Sequence, residues 1–130
     1  MNPIPPHVVL LDSVTQVTPA HSGLVVVTGS HGGLSVAPYA CAVTARLYVF
    51  NDAGIGKDGA GIAALAQLDR HGLAAVAVSH LSARIGEARD SWDSGVVSRV
   101  NDSGGRLGLR PGVALRDAVA MLPDDVPGSP

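Results

Sequence analysis

Leu24-Val25-Val26-Val27-Thr28, running directly into Gly29-Ser30-His31-Gly32-Gly33, is the stretch that decides the fold. Its β-branched valines suit a strand, and the glycines around a polar pair suit a tight turn at the strand's end. A second run, Leu73-Ala74-Ala75-Val76-Ala77-Val78, is apolar throughout, as expected of a strand buried on both faces. Outward from these two, residues 7–13, 46–50 and 96–100 read as further strands. Residues 34–44, 62–71, 85–94 and 113–122 read as helices, with Gly72 at the position a helix-ending glycine takes. Residues 101–108 read as a polar, Gly-rich connection. Strands separated by helices imply βαβ units and helices on both faces of one sheet. The expected class is α/β: a three-layer α/β/α fold around an about five-stranded, mostly parallel sheet, Rossmann-like or flavodoxin-like. Residues 14–23 are short for a full crossover, where about a dozen are usual. The first strand is therefore expected either as an antiparallel edge or as joined through one helical turn at residues 18–21. One domain is expected over residues 1–123, followed by a flexible C-terminal tail at 124–130.

The composition excludes several classes. Charged residues make up 15% of the 130, the formal net charge is −2, and hydrophobic residues reach 46%. No positive field is available for a nucleic-acid surface, and the apolar content is too high for disorder. A single cysteine, Cys41, rules out a disulfide scaffold and reads as a packing residue between two alanines. No apolar run approaches the roughly 20 residues of a membrane-spanning helix. Residues 1–6 hold three prolines and no basic segment, unlike a signal peptide, so a cytoplasmic location is expected. Few charges leave a fairly apolar surface, which points to a homo-oligomer, and the sole tryptophan, Trp92, reads as a helix anchor.

Polar groups collect where the strands end: Asp12 and Ser13, Ser30 and His31, Asn51 and Asp52, Ser79 and His80, Asn101 and Asp102. In an open parallel sheet these exits share one edge, and ligands bind outside the carboxyl ends of the strands at a switch point. His31 or His80, with Asp52, is the expected pair for proton transfer. The dipeptides Ser30-His31 and Ser79-His80 also supply nucleophile and base types. Neighbours on a strand point to opposite sides, however, and no G-x-S-x-G elbow is present. No H-x-x-x-H or C-x-x-C spacing supports a metal, and none is expected.

Gly54-Ile55-Gly56-Lys57-Asp58-Gly59 matches G-x-G-x-x-G between a strand and a helix. It follows the third strand rather than the first, Asp58 would repel a pyrophosphate, and no acidic residue follows about 20 positions on. No dinucleotide or other cofactor is therefore expected. The expected role is capture of a smaller anion by the amides of Gly54, Gly56 and Gly59 together with Lys57, the one lysine in a chain that otherwise uses eight arginines. Ser30, Ser79 and Arg84 complete the expected binding set.

These residues lead to an expected function: an enzyme of hydrolase or lyase type acting on a small polar or anionic metabolite. His31, Asp52 and His80 would be catalytic. The alternative is a non-catalytic small-molecule-binding or regulatory domain using the same crevice. A small-molecule ligand is expected as partner, with no nucleic acid and no membrane.

Overall fold

The computed structural model describes residues 1–123, so the expected tail at 124–130 lies outside the described residues. The strands are β1 (Val8–Leu11), β2 (Val25–His31), β3 (Leu47–Asn51), β4 (Ala75–Val78) and β5 (Val97–Val100). They lie in that order across one sheet; β1 to β4 are parallel and β5 is antiparallel to β4. The helices are α1 (Ala37–Cys41), α2 (Ala63–Arg70), α3 (Ala88–Ser94), α4 (Asp102–Arg106) and α5 (Leu115–Ala120).

The two-residue period of each strand builds two cores. Val25, Val27, Leu47, Val49, Val76 and Val78 face α3 and α5, meeting Trp92, Leu115 and Val119. Val26, Tyr48, Phe50, Ala75 and Ala77 face α1 and α2, meeting Ala37, Ala40, Leu65 and Leu68. The fold is thus a three-layer α/β/α arrangement on a mostly parallel sheet, Rossmann-like in its layering. Its strand order advances one place at a time and does not reverse.

That order has a consequence for the carboxyl edge. Connections that advance in one direction with right-handed crossovers must all cover the same face. Val14, α1 and α2, from the first three connections, do so. After β4 the chain passes to the opposite face and forms α3. The connections leaving the neighbours β3 and β4 therefore diverge, which is the condition that opens a crevice at the ends of a parallel sheet.

The structure corrects several expectations. β1 is parallel, and its short link to β2 is made of two 3₁₀ turns, Val14–Gln16 and Pro19–His21. Pro38 sits in the first turn of α1, where a missing N–H costs nothing, and a 3₁₀ turn at Leu34–Val36 precedes it. The largest correction concerns β5. The chain enters it from the carboxyl edge, with Val97 opposite Val78, so Asn101 and Asp102 emerge at the other end of the sheet. There Asn101 is structural. Its Nδ2 donates to the Leu65 and Leu73 carbonyls at 3.0 and 2.9 Å, and its Oδ1 accepts from the Ala75 and Gly104 amides at 3.0 and 2.9 Å. The Gly104 contact caps α4, so the Gly-rich connection is helical despite the low helix propensity of glycine. Trp92 is buried and donates its indole N–H to the Pro3 carbonyl at 3.0 Å.

Candidate functional site

Asp52 follows the last residue of β3 and its side chain is 5% exposed. Its amide donates to the Val78 carbonyl, which fixes the backbone against the end of β4. Oδ1 accepts from the Gly54 amide at 2.8 Å, the His80 amide at 3.0 Å and His80 Nδ1 at 3.2 Å. Oδ2 accepts from the Ser98 hydroxyl at 2.7 Å. Burial pushes the carboxyl up, but the donors from Ser98, Gly54 and His80 outweigh it and hold Asp52 below the ordinary aspartate range. An ionised carboxylate only accepts, so the Nδ1 that faces it carries the proton. Neutral His80 is then the Nδ1–H tautomer, with an unprotonated Nε2 on a side chain that is 48% exposed.

The Gly-rich loop presses on this pair. Ala53, Gly54, Ile55 and Gly56 all take positive φ, at 51, 76, 66 and 72°, and Asp58 and Gly59 do so again. For branched Ile55 this is a genuine outlier, sustained by short bonds from the Ile55 amide to the Asp52 carbonyl and from the Gly61 amide to the Ile55 carbonyl, both 2.6 Å. A side chain at Gly54 would place its Cβ 3.7 Å from His80 Nε2. The loop amides are used internally: Gly54 donates to Asp52, Gly56 to the Gly54 carbonyl and Gly59 to the Gly56 carbonyl. These three amides are turned into the loop, where an external anion would have to displace existing bonds. Lys57 is exposed on the outside of the same loop.

His31 ends β2 and pairs in register with Asn51. Its Nδ1 accepts from the Gly33 amide at 3.0 Å, so neutral His31 is the Nε2–H tautomer, the reverse of His80. It lines a groove of about 530 Å³ over the ends of β1 and β2. Asp12, Ser13, Gly29, Ser30, Tyr39 and Ile85 line it with His31. Ser30 Oγ accepts from the Val14 amide at 2.9 Å. Gly29 is required because a methyl there would collide with Gly86 and the Glu87 amide, and the Gly86 amide donates to the Gly29 carbonyl at 2.7 Å.

The expected residues therefore fall into two clusters along one edge. Asp52, Gly54 and His80 meet at the end of β3 and β4, while Ser30 and His31 lie in the groove. Ser79 Oγ accepts from the Leu81 amide at 3.1 Å, so among the described residues neither Ser30 nor Ser79 is engaged with a histidine. Arg84 is exposed, and its amide donates to Asp90 at 2.7 Å. Ser98, which bonds the carboxylate, is absent from the expected set: a lone serine in a strand carries no signal until its register is known. It lies on the Asp52 side of the pair rather than the His80 side, so the three do not form a Ser–His–Asp relay. Asp12 was visible as a strand exit, but its Oδ1 contact to the Ala88 amide at 3.0 Å was not. Among the described residues no three His, Cys, Asp or Glu side chains gather as a metal ion would require, and no helix is long and apolar enough to cross a membrane. No family model, curated protein or solved structure matches this chain.

Proposed function

We propose that the Asp52–His80 pair is the proton-transfer centre of an enzyme acting on a small polar molecule by hydrolysis or a lyase step. One observation carries this reading: the buried Asp52 carboxyl lies 3.2 Å from His80 Nδ1, which leaves Nε2, on a half-exposed ring, as the base. Asp52 holds the imidazole in that tautomer and stabilises the imidazolium that forms once Nε2 takes a proton. The acceptor at Nε2 suits two substrates for proton abstraction: a water aimed at an ester or amide carbonyl, or an acidic C–H beside a leaving group. The strained turn at residues 53–56 supports the reading, since strain of this kind collects at functional sites.

The test is a turnover assay on a panel of small esters, amides and 3-hydroxy acids, with His80→Ala and Asp52→Asn beside the wild type. His80→Ala should lower kcat by about 10²- to 10⁴-fold while its unfolding midpoint stays close to that of the wild type. Turnover that survives His80→Ala, or falls only in step with loss of fold, overturns the assignment. A binding-only reading draws on the groove at β1 and β2; it gains if ligands bind there and none is converted.

A further inference from the structure

The groove over β1 and β2 has a consistent hydrogen-bonding character. No lysine or arginine lines it. Three of its amides are already used: Gly29 donates to the Asp12 carbonyl, Ser30 to the Thr28 hydroxyl and Gly86 to the Gly29 carbonyl. A tightly held anion is usually met by cationic side chains; this groove has none and instead carries the Asp12 carboxylate, which repels one. It supplies hydroxyls instead, from Ser13, Thr15, Ser30 and Ser35. A hydroxyl both donates and accepts, so such a lining complements other hydroxyls.

Three groups have a defined sense. Ser30 Oγ accepts from Val14, so its proton is available to donate. His31 Nδ1 accepts from Gly33, so its Nε2–H is available to donate. Asp12 Oδ1 accepts from Ala88, which leaves Oδ2 as an acceptor. Tyr39 and Ile85, 48% and 53% exposed, also line the groove, one from α1 and one from the connection to α3. An aromatic ring and an aliphatic chain in the lining match the C–H faces of a small ring, while the hydroxyls, His31 and Asp12 match its polar rim.

We propose that this groove binds a neutral, polyhydroxylated ring: a monosaccharide, a cyclitol or the ribose of a nucleoside. The proposal does not depend on His80 being catalytic. The test is an amide-resolved NMR titration of the intact protein. The probes are D-glucose, D-ribose, myo-inositol and adenosine, with glucose 6-phosphate, ribose 5-phosphate, inositol 1-phosphate and adenosine 5′-monophosphate as their anionic counterparts. At least one neutral probe should shift the amides of Ser30, His31 and Gly86 saturably, and its anionic counterpart should bind at least about tenfold more weakly. Binding by adenosine but by none of the three others assigns the groove to a nucleoside. Tyr39→Ala should weaken the neutral probe about tenfold with the unfolding midpoint unchanged, and His80→Ala should leave its affinity within about twofold. The proposal is overturned if no neutral probe binds, if the anionic counterparts bind more tightly, or if Tyr39→Ala binds as the wild type does.

Discussion

His31 and His80 leave the same sheet edge two strands apart, and the protein holds them in opposite ways. His80 gives its Nδ1 proton to a buried carboxylate that also holds Ser98 and two backbone amides. His31 Nδ1 accepts a hydrogen bond from the Gly33 amide in its own turn and has no carboxylate partner among the described residues. The first arrangement leaves a lone pair outward and a negative charge behind it. The second leaves an N–H outward with no charge behind it. The difference teaches that a histidine at a strand end is not by itself a base: the partner of Nδ1 decides whether the exposed nitrogen takes a proton or offers one.

The widest separation between the two should appear in turnover. His80→Ala is expected to lower kcat by about 10²- to 10⁴-fold, and His31→Ala by less than about tenfold, on any substrate the wild type converts. Equal losses in the two variants would break the comparison. Stability separates the corners in a second way. Asp52→Ala leaves two amides and a ring N–H without their acceptor, and the Ser98 hydroxyl with only the longer bond to the Ala77 carbonyl, and should cost about 3 kcal/mol in a urea melt. His80→Ala removes a half-exposed ring and should cost less than about 1 kcal/mol by the same measurement.

The pH dependence follows from the depressed Asp52 carboxyl. A group whose folded-state pKa lies below its unfolded value adds stability above the unfolded value, near 3.9 for aspartate, and loses it as pH falls through the folded value. Wild-type stability should therefore decline below about pH 4, and more steeply than that of Asp52→Asn. Asp69, held low by Ser103, and Asp93, held low by Asn2 and Arg89, leave a residual slope in both proteins. Identical acid slopes would mean that the Asp52 carboxyl is not depressed by folding. The last contrast belongs to the groove. Ser30→Ala takes the acceptor from the Val14 amide and should cost about 1 kcal/mol with no change in kcat.

How much was legible in the sequence divides along the same lines. The β-branched run at residues 24–28 and the alanine–valine run ending at Val78 specify buried strands from local pattern, the helices between strands imply that they are parallel, and the polar residues that follow them mark the carboxyl edge. Asp52 and His80 are legible as exits of consecutive strands, but the strand order is not; their meeting comes from the pairing of β3 with β4. The direction of β5 was not legible, because Val97-Ser98-Arg99-Val100 reads equally well either way. With it went the role of Ser98 and the placement of Asn101, which turns out to tie the opposite end of the sheet. The G-x-G-x-x-G spacing indicated a glycine-dependent loop but not that its amides fold inward, since that depends on side-chain acceptors at Asn51 and Asp52.

The central claim is that Asp52 fixes His80 with its proton on Nδ1 and its lone pair on Nε2. Long-range proton–nitrogen NMR of the histidine rings, at a pH where imidazoles are neutral, reads this directly. The account predicts a protonated Nδ1 and an unprotonated Nε2 for His80, the reverse for His31, and loss of the His80 preference in Asp52→Asn. A proton on His80 Nε2, or the same tautomer in both histidines, would contradict it.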